Sequence, residues 1–346
     1  MWELNYNIHD LLTVKICSVG KKDLTANLRY SYFAKSGCVD EPDIVLNIGP
    51  FKSSNDGAEI IAHRYFVKEN YFYCKETGNG AKWEIEIFGF EKGNTVINFF
   101  GRYHGIRGIL FPSFMAQEFL LPIIEHKLAR KNYFLMHGGA ACKNNMGFVL
   151  TGRPGVWKTT LLMDFLRTDK YQFLGDDRVI LKEDGSVLSF PTSLFLFSYT
   201  LINSRTEERD ISDNLKLLFH VIVENTGKFL FNPIASCNHI NKILFVSRET
   251  NQNIKIKSIS PQEGLQKLII NNMAEYVEST KKSPIGQYYN YVQVYSLIFP
   301  NNDLLNHYHR MCDGLKKIVT EIPMHEIILP YRYDQTTLDT LIKQIY

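Results

Sequence analysis

The segment from Tyr133 to Leu181 reads YFLMHGGAACKNNMGFVLTGRPGVWKTTLLMDFLRTDKYQFLGDDRVIL, and it decides the fold. The apolar run Gly147 to Thr151 predicts a short buried strand. After the glycine-containing segment GRPGVWKTT, apolar residues recur at helical spacing: Leu161, Leu162, Phe165 and Leu166. A strand, a glycine loop and a helix in this order are typical of a phosphate-binding loop.

The loop fits the pattern G-x-x-x-x-G-K-[ST] at Gly152, Lys158 and Thr159, but Trp157 occupies the sixth position, where the pattern has glycine. Backbone N–H groups at a helix N-terminus cradle phosphate oxygens, and the helix dipole adds to the attraction. Lys158 would reach the β- and γ-phosphates, and the Thr159 hydroxyl would complete a Mg²⁺ shell. The indole must either point away from the phosphates or fill their place. A purely structural glycine turn is the alternative. The predicted nucleotide-binding residues are Gly152, Arg153, Pro154, Gly155, Val156, Trp157, Lys158, Thr159 and Thr160.

Asp176 and Asp177 provide a geometric test of this hypothesis. A helix of about ten residues from Lys158 climbs roughly 15 Å. The strand predicted from Tyr171 to Gly175 returns roughly 16 Å, so the carboxylates arrive back at the loop. In a right-handed crossover unit, one of them can hold Mg²⁺ while the other faces an incoming hydroxyl. Two exposed aspartates at a strand end are the alternative.

His137 ends an apolar run before two glycines, and KNNMG at 143–147 is typical of a hairpin turn. Such a hairpin would lay this strand beside the one that feeds the loop, with His137 near the nucleotide. A functional histidine and an ordinary hydrogen-bonded one are both compatible with the pattern.

These motifs resemble those of the HPr serine kinase/phosphorylase family. The matching elements are H-G-x-A, G-F-V-L-T-G-x-P-G-x-x-K-T-T-L and L-G-D-D-x-V, followed by the turn Asp184-Gly185 and a strand that leads to Pro191. The resemblance covers about residues 132–195. It is strongest to the shorter relatives encoded with peptide-maturation systems, and more distant to the nucleotide-binding fold of phosphoenolpyruvate carboxykinase.

The resemblance implies transfer of a phosphoryl group from ATP, or from another nucleotide or pyrophosphate donor, to a serine hydroxyl. Lys158 and Thr159 are then nucleotide and magnesium contacts. Asp176 is the base by this resemblance, and Asp177 joins Thr159 at the metal. With His137 and Lys158 the two aspartates make up the predicted catalytic set.

Before residue 110, short β segments alternate with turns such as Glu76 to Gly80, which favours hairpins and an antiparallel sheet. A helix predicted from Phe114 across Pro122 would join the halves. We therefore predict a β-rich N-terminal domain with its linking helix (1–128) and an HPr kinase-like nucleotide-binding domain (129–346). The fold class is α/β in the P-loop half and α+β overall. Further on, the segment NKILFVSRET predicts a strand that ends at Arg248. Arg248 would be either a cation for a phosphoryl group or an exposed surface residue.

The net charge of +3 from 39 Lys plus Arg and 36 Asp plus Glu argues against a nucleic-acid partner. No membrane-spanning segment or signal peptide is predicted, so we expect a soluble cytoplasmic protein whose scattered cysteines are reduced.

The leading hypothesis is a Mg²⁺-dependent kinase for a hydroxyl-bearing peptide or protein, and a homo-oligomer is compatible with the sequence. The alternative is a catalytically impaired pseudokinase, a peptide-binding module whose phosphate loop is degenerate at Trp157. A nucleoside triphosphatase is the third hypothesis.

Overall fold

A computed structural model describes residues 1–19, 30–37, 39–78, 81–103, 114–153, 155–167, 171–191, 234–235, 237–250, 253–279, 284–331 and 341. In this part of the chain the fold is a mixed α+β architecture with two mixed β-sheets and five α-helices. By their internal contacts, residues 1–131 and 276–310 form the first compact unit, and residues 132–275 and 311–346 form the second.

The unit boundaries fall at three places along the chain. The first transition, at residue 131, lies close to the boundary predicted at 128–129. The prediction assigned residues 276–310 to the C-terminal domain, whereas they belong to the first unit. The sequence there shows no change of composition or pattern that would indicate this.

The first unit contains an eight-stranded sheet and a short 3₁₀ helix at Ser31–Phe33. The strand order is β1-β2-β3-β8-β7-β6-β5-β4. The strands are β1 Trp2–Ile8, β2 Leu12–Ser18, β3 Ile44–Ile48, β4 Glu59–Ile61, β5 Tyr65–Lys68, β6 Tyr71–Gly78, β7 Ala81–Phe88 and β8 Thr95–Tyr103.

The prediction of an antiparallel sheet holds for most of this unit and is wrong for β3. Strands β4 to β8 form consecutive hairpins, but β3 runs parallel to both β2 and β8. Positions 19 to 43 separate β2 from β3, and a connection of that length permits a parallel pairing that a tight turn forbids. The alternating pattern of β7 gives the expected half-buried strand between β6 and β8.

Two helices, α1 Phe114–Ala129 and α4 Pro284–Ile298, pack together in the first unit. The predicted helix across Pro122 is confirmed as α1. The ring of Phe119 on α1 stacks on the ring of Tyr291 on α4, with centroids 5.9 Å apart and planes 9° from parallel. Both side chains are fully buried, so aromatic packing holds these two helices together.

The second unit contains a nine-stranded sheet in which order β12-β10-β11-β15-β14-β13-β9 is extended by β17 beside β15 and by β16 beside β17. The strands are β9 Tyr133–His137, β10 Gly139–Lys143, β11 Met146–Thr151, β12 Gln172–Gly175, β13 Arg178–Lys182, β14 Ser186–Leu188, β15 Cys237–Arg248, β16 Lys255–Ser258 and β17 Met324–Leu329. The other helices are α2 Lys158–Arg167, α3 Pro261–Ser279 and α5 Asn306–Glu321.

The elements predicted around the glycine loop are present. Strand β11 is buried before the loop, α2 follows it, and Lys143 pairs with Met146 in the predicted hairpin. The expectation that this hairpin lays the strand of His137 beside β11 is wrong, because β10 is the hairpin partner of β11 whereas β9, which ends at His137, pairs with β13. Strand β12 does not lie beside β11, because β10 is inserted antiparallel between them. Two antiparallel steps leave β12 parallel to β11, so both strands end at the same edge of the sheet.

Among the described residues, no helix combines the length and the apolar character that crossing a bilayer requires. Among the cysteines whose side chains are described, Cys17, Cys74 and Cys142 are free thiols. The apolar face of α2 packs on β10 and β11, where Leu161, Leu162 and Phe165 are fully buried. The helix N-terminus is thereby fixed at the edge where β11 and β12 end.

Candidate active site

The loop between β11 and α2 has a backbone that requires glycine at its first position. Gly152 has φ 149°, and a Cβ there would lie 2.3 Å from the carbonyl oxygen of Val246 on β15. Gly155 has φ 77° and open space around it. Trp157 also has a positive φ, 68°, and its carbonyl accepts the first helical hydrogen bond from the Leu161 N–H at 2.9 Å. The loop therefore keeps a left-handed backbone at its sixth position although that residue carries a bulky ring.

Lys158, the first residue of α2, folds back over the loop. Its Nζ donates to the carbonyl oxygens of Gly152 at 2.7 Å and Arg153 at 2.9 Å. An ammonium held on neutral carbonyls at a helix N-terminus places positive charge where the helix dipole already favours an anion.

Thr159 and Asp176 meet at the edge where β11 and β12 end. The Thr159 hydroxyl donates to Oδ1 of Asp176 at 3.1 Å. Asp176 is buried, and this burial, together with the neighbouring charge of Asp177, raises the pKa of its carboxyl to about 7. The pairing joins a helix N-terminus to a strand end through two oxygen ligands.

Asp177 lies beside His137 rather than beside Thr159. Its Oδ1 is 3.4 Å from Nδ1 of His137, and its side chain is 46% exposed while that of His137 is 6% exposed. Burial lowers the pKa of His137 to about 4. The Asp177 carboxylate acts to raise this pKa, and it offsets the effect of burial only in part. The imidazole is therefore neutral at neutral pH, next to a carboxylate that solvent reaches.

The main chain of His137 is anchored from two elements. Its N–H donates to Oδ1 of Asn272 at 2.8 Å, and its carbonyl accepts from the Thr151 hydroxyl at 3.0 Å. Asn272 is buried on α3 and donates its amide to the Leu268 carbonyl. Sequence reasoning missed Asn272, although an asparagine that follows Gly264 and Leu268 at four-residue spacing marks a polar group on the buried face of α3.

The indole of Trp157 lies against Arg248, the last residue of β15. The guanidinium carbon is 3.7 Å from the ring centroid. In the strand order, β15 lies on one side of β11, and β10 with β12 on the other. The indole is thus engaged on the β15 side of the loop, whereas Asp176 follows β12 on the opposite side.

The structure brings together most of the residues predicted for the site. Lys158, Thr159, Asp176, Asp177 and His137 surround the N-terminus of α2 and the adjoining strand ends. The remaining loop positions differ: Arg153 is exposed, Val156 packs against the core under α2, Thr160 is partly buried, and Pro154 lies outside the described residues.

A magnesium ion fits this donor set only in combination with phosphate oxygens. Thr159 and Asp176 supply two neighbouring oxygens. Within the described residues, no group of three or more His, Cys, Asp or Glu side chains could hold a metal ion. Mg²⁺ in nucleotide sites takes one or two protein oxygens and completes its octahedron with phosphates and water, which matches what Thr159 and Asp176 offer.

Comparison with solved structures finds a distant structural neighbour for this chain. No family model matches the sequence, and no curated protein matches it. The structure is similar to that of the Hpr(Ser) kinase/phosphatase from Coxiella burnetii, with a TM-score of 0.26 and 9% identity, over 61% of this chain and 87% of that chain. This likeness is weak.

Proposed function

We propose that the protein is a Mg²⁺- and nucleotide-dependent phosphotransferase that phosphorylates a serine-type hydroxyl of a peptide or protein. The observation that carries the proposal is the 3.1 Å hydrogen bond from Thr159 to Asp176, directly after the lysine that covers the loop. A hydroxyl from the first turn of α2 and a carboxylate that directly follows β12 meet there. This is the side-chain set that phosphoryl-transfer sites of the P-loop type use for nucleotide and metal.

Each side chain has a role that follows from its position. The loop amides and Lys158 bind the phosphates, with Lys158 exchanging its two carbonyl partners for phosphate oxygens. Thr159 and Asp176 hold the metal ion, which when bound neutralises charge on the transferring phosphoryl group. Asp176 must be ionised for this role, and a cation beside it would lower its raised pKa.

Asp177 is the better placed of the two carboxylates to face an acceptor. It is half-exposed, and its Oδ1 lies 3.4 Å from Nδ1 of the neutral His137 imidazole. Asp177 takes the hydroxyl proton as the acceptor oxygen bonds to the terminal phosphorus, and the bond from that phosphorus to the leaving diphosphate breaks. The proposal thus exchanges the roles that the family resemblance gave to Asp176 and Asp177.

A binding and transfer experiment tests the proposal. Calorimetry with Mg·ATP measures binding, and radiolabelled ATP with a synthetic serine-containing peptide library measures transfer. A library with alanine in place of serine is the matched acceptor control. We expect label on the serine library alone. Lys158→Ala should abolish binding, and Asp177→Asn should abolish transfer while binding remains.

Lys182→Ala is the matched control variant. Lys182 sits at the far end of β13, where it pairs with Tyr133 across the sheet and with Asp184 in an exposed turn. We expect it to bind and transfer as the wild type does. Release of free phosphate without labelled peptide would instead favour a nucleoside triphosphatase.

One observation favours the pseudokinase alternative, namely the ring of Trp157 at a loop position that normally carries glycine. In that case the β-rich half would recognise a partner, and the α/β half would act as a scaffold or sense nucleotide. Wild-type protein that neither binds Mg·ATP nor gains thermal stability from it would support this alternative over the kinase.

A further inference from the structure

The sixth position of the loop holds a residue whose backbone conformation is costly. Trp157 has φ 68°, in the left-handed region, where a side chain with a Cβ costs about 1–2 kcal/mol. The loop therefore follows the path that glycine would allow, at an energetic cost. Such strain persists only where surrounding contacts hold the residue in place.

Those contacts come from Arg248. Its guanidinium lies on the Trp157 ring at 3.7 Å, and Nη2 donates to the Tyr331 carbonyl at 2.8 Å. Nη1 donates to the carbonyl of Gly155, within the loop itself, at 3.3 Å. The Tyr331 ring approaches the same guanidinium from 5.4 Å. Arg248 is thus held at the loop by an aromatic face and two carbonyl oxygens.

We propose that Trp157 is a positioning residue that holds the Arg248 guanidinium beside the phosphate loop, where it serves as a second cation for the polyphosphate. The inference rests on the proposed function and identifies why this chain has an aromatic ring at position 157. Trp157 acts through Arg248 and needs no contact of its own with the ligand.

The exchange of partners at Arg248 is favourable on physical grounds. The bond to the Gly155 carbonyl is long for a hydrogen bond to a neutral acceptor, whereas a phosphate oxygen offers a shorter, charge-assisted bond to guanidinium. A side chain already ordered on an indole loses little rotamer freedom when the phosphate arrives. The Lys158 ammonium is likewise held by hydrogen bonds to neutral acceptors, the carbonyls of Gly152 and Arg153.

The test compares variants of the full chain in calorimetric titrations with two probes, Mg²⁺ with inorganic tripolyphosphate and Mg·ATP. Trp157→Gly should weaken binding of both probes about fivefold, the loss of about 1 kcal/mol of cation–π stabilisation. Trp157→Phe, which keeps an aromatic face, should restore most of the affinity. In an Arg248→Ala background, Trp157→Gly should have no further effect.

Three results would overturn the inference. Trp157→Gly could bind as tightly as the wild type or more tightly, as the glycine of the usual loop pattern would predict. Its effect could persist unchanged without Arg248, or be confined to ATP and absent with tripolyphosphate, which would make the indole a platform for the base. Wild-type protein that binds neither probe contradicts the proposed function itself.

A stability measurement separates these outcomes from misfolding. Because position 157 has a positive φ, Trp157→Gly should unfold at a higher urea concentration than Trp157→Ala. A folded glycine variant with weakened tripolyphosphate binding then reports the loss of positioning alone.

Discussion

Thr159 hydrogen-bonds to Asp176 across 3.1 Å, although the two residues belong to different elements of the second unit. Helix α2 carries the chain away from the loop, and β12 brings it back parallel to β11 with β10 between them. The hydrogen bond therefore forms only because α2 and β12 have lengths that return the chain to the loop. It also singles out Asp176, the buried carboxylate, as the partner of the loop hydroxyl.

Thr159→Val should remove the effect of Mg²⁺ on nucleotide binding. Valine keeps the shape of threonine and loses the oxygen that would ligate the ion. We expect affinity for Mg·ATP to fall roughly tenfold, while affinity for ATP in EDTA stays unchanged. Calorimetric titrations with and without Mg²⁺ measure both. Thr320→Val, at an exposed position near the end of α5, is the control, and an equal Mg²⁺ effect in both variants would contradict the assignment.

Asp176→Asn should stabilise the protein in a pH-dependent way. The folded pKa of about 7 lies above the ordinary value of 3.8, so the folded chain binds the extra proton and wild-type stability falls as pH rises between these values. The variant has no carboxyl at position 176, so its unfolding free energy does not fall with pH for this reason. Its gain in unfolding free energy should be near zero at pH 4 and reach roughly 4 kcal/mol above pH 8.

Urea unfolding at pH 4.5, 6 and 8 checks this expectation. His137 contributes with the opposite sign, because its pKa is lowered to about 4 and its stabilising contribution is lost as pH falls from about 6.5 through 4. The variant retains His137, so the difference between variant and wild type isolates Asp176. A difference that does not change with pH would show that Asp176 is ionised throughout.

Asn272→Ala should destabilise the second unit by about 1–3 kcal/mol, because it leaves the buried N–H of His137 without its acceptor. Asn271→Ala, one residue earlier on the same helix and only partly buried, is the matched control and should cost much less. Urea unfolding of the two variants measures the difference. Equal costs would indicate that the contact between α3 and His137 contributes nothing to stability.

Gly152→Ala should cost far more than Gly155→Ala. Both positions have a positive φ, which by itself costs an alanine about 1 kcal/mol. At Gly155 nothing lies within 4 Å of the added Cβ, whereas at Gly152 the Val246 carbonyl lies at 2.3 Å. That carbonyl belongs to β15, the parallel neighbour of β11, and cannot move without disturbing their pairing. We expect Gly152→Ala to lose at least twice as much unfolding free energy, measured in urea.

Local patterns predicted the elements around the loop well. The apolar run before Gly152 is β11, the periodic apolar positions after it lie on the buried face of α2, and the KNNMG turn joins β10 to β11. These features depend on neighbouring residues, so single-sequence periodicity and turn chemistry identify them. The strand ending at Arg248 is predicted for the same reason.

Pairings between distant segments were not accessible in this way. The parallel neighbours of β3, the insertion of β10 between β11 and β12, and the grouping of residues 276–310 with the first unit all depend on long-range packing. The same limit applies to Asn272, which reaches His137 across 135 residues of sequence.

The sequence by itself determined that a glycine loop followed by Lys158 and Thr159 lies between a buried strand and a helix, and that two aspartates return to it. Local propensities and the fixed rise per residue of helices and strands are sufficient for that much. Only the tertiary structure decided that Asp176 pairs with Thr159 while Asp177 faces His137, and that the Trp157 ring stacks on Arg248. Adjacent residues at a strand end point to different neighbours, and those neighbours are brought there by strand order, which a single sequence does not encode locally.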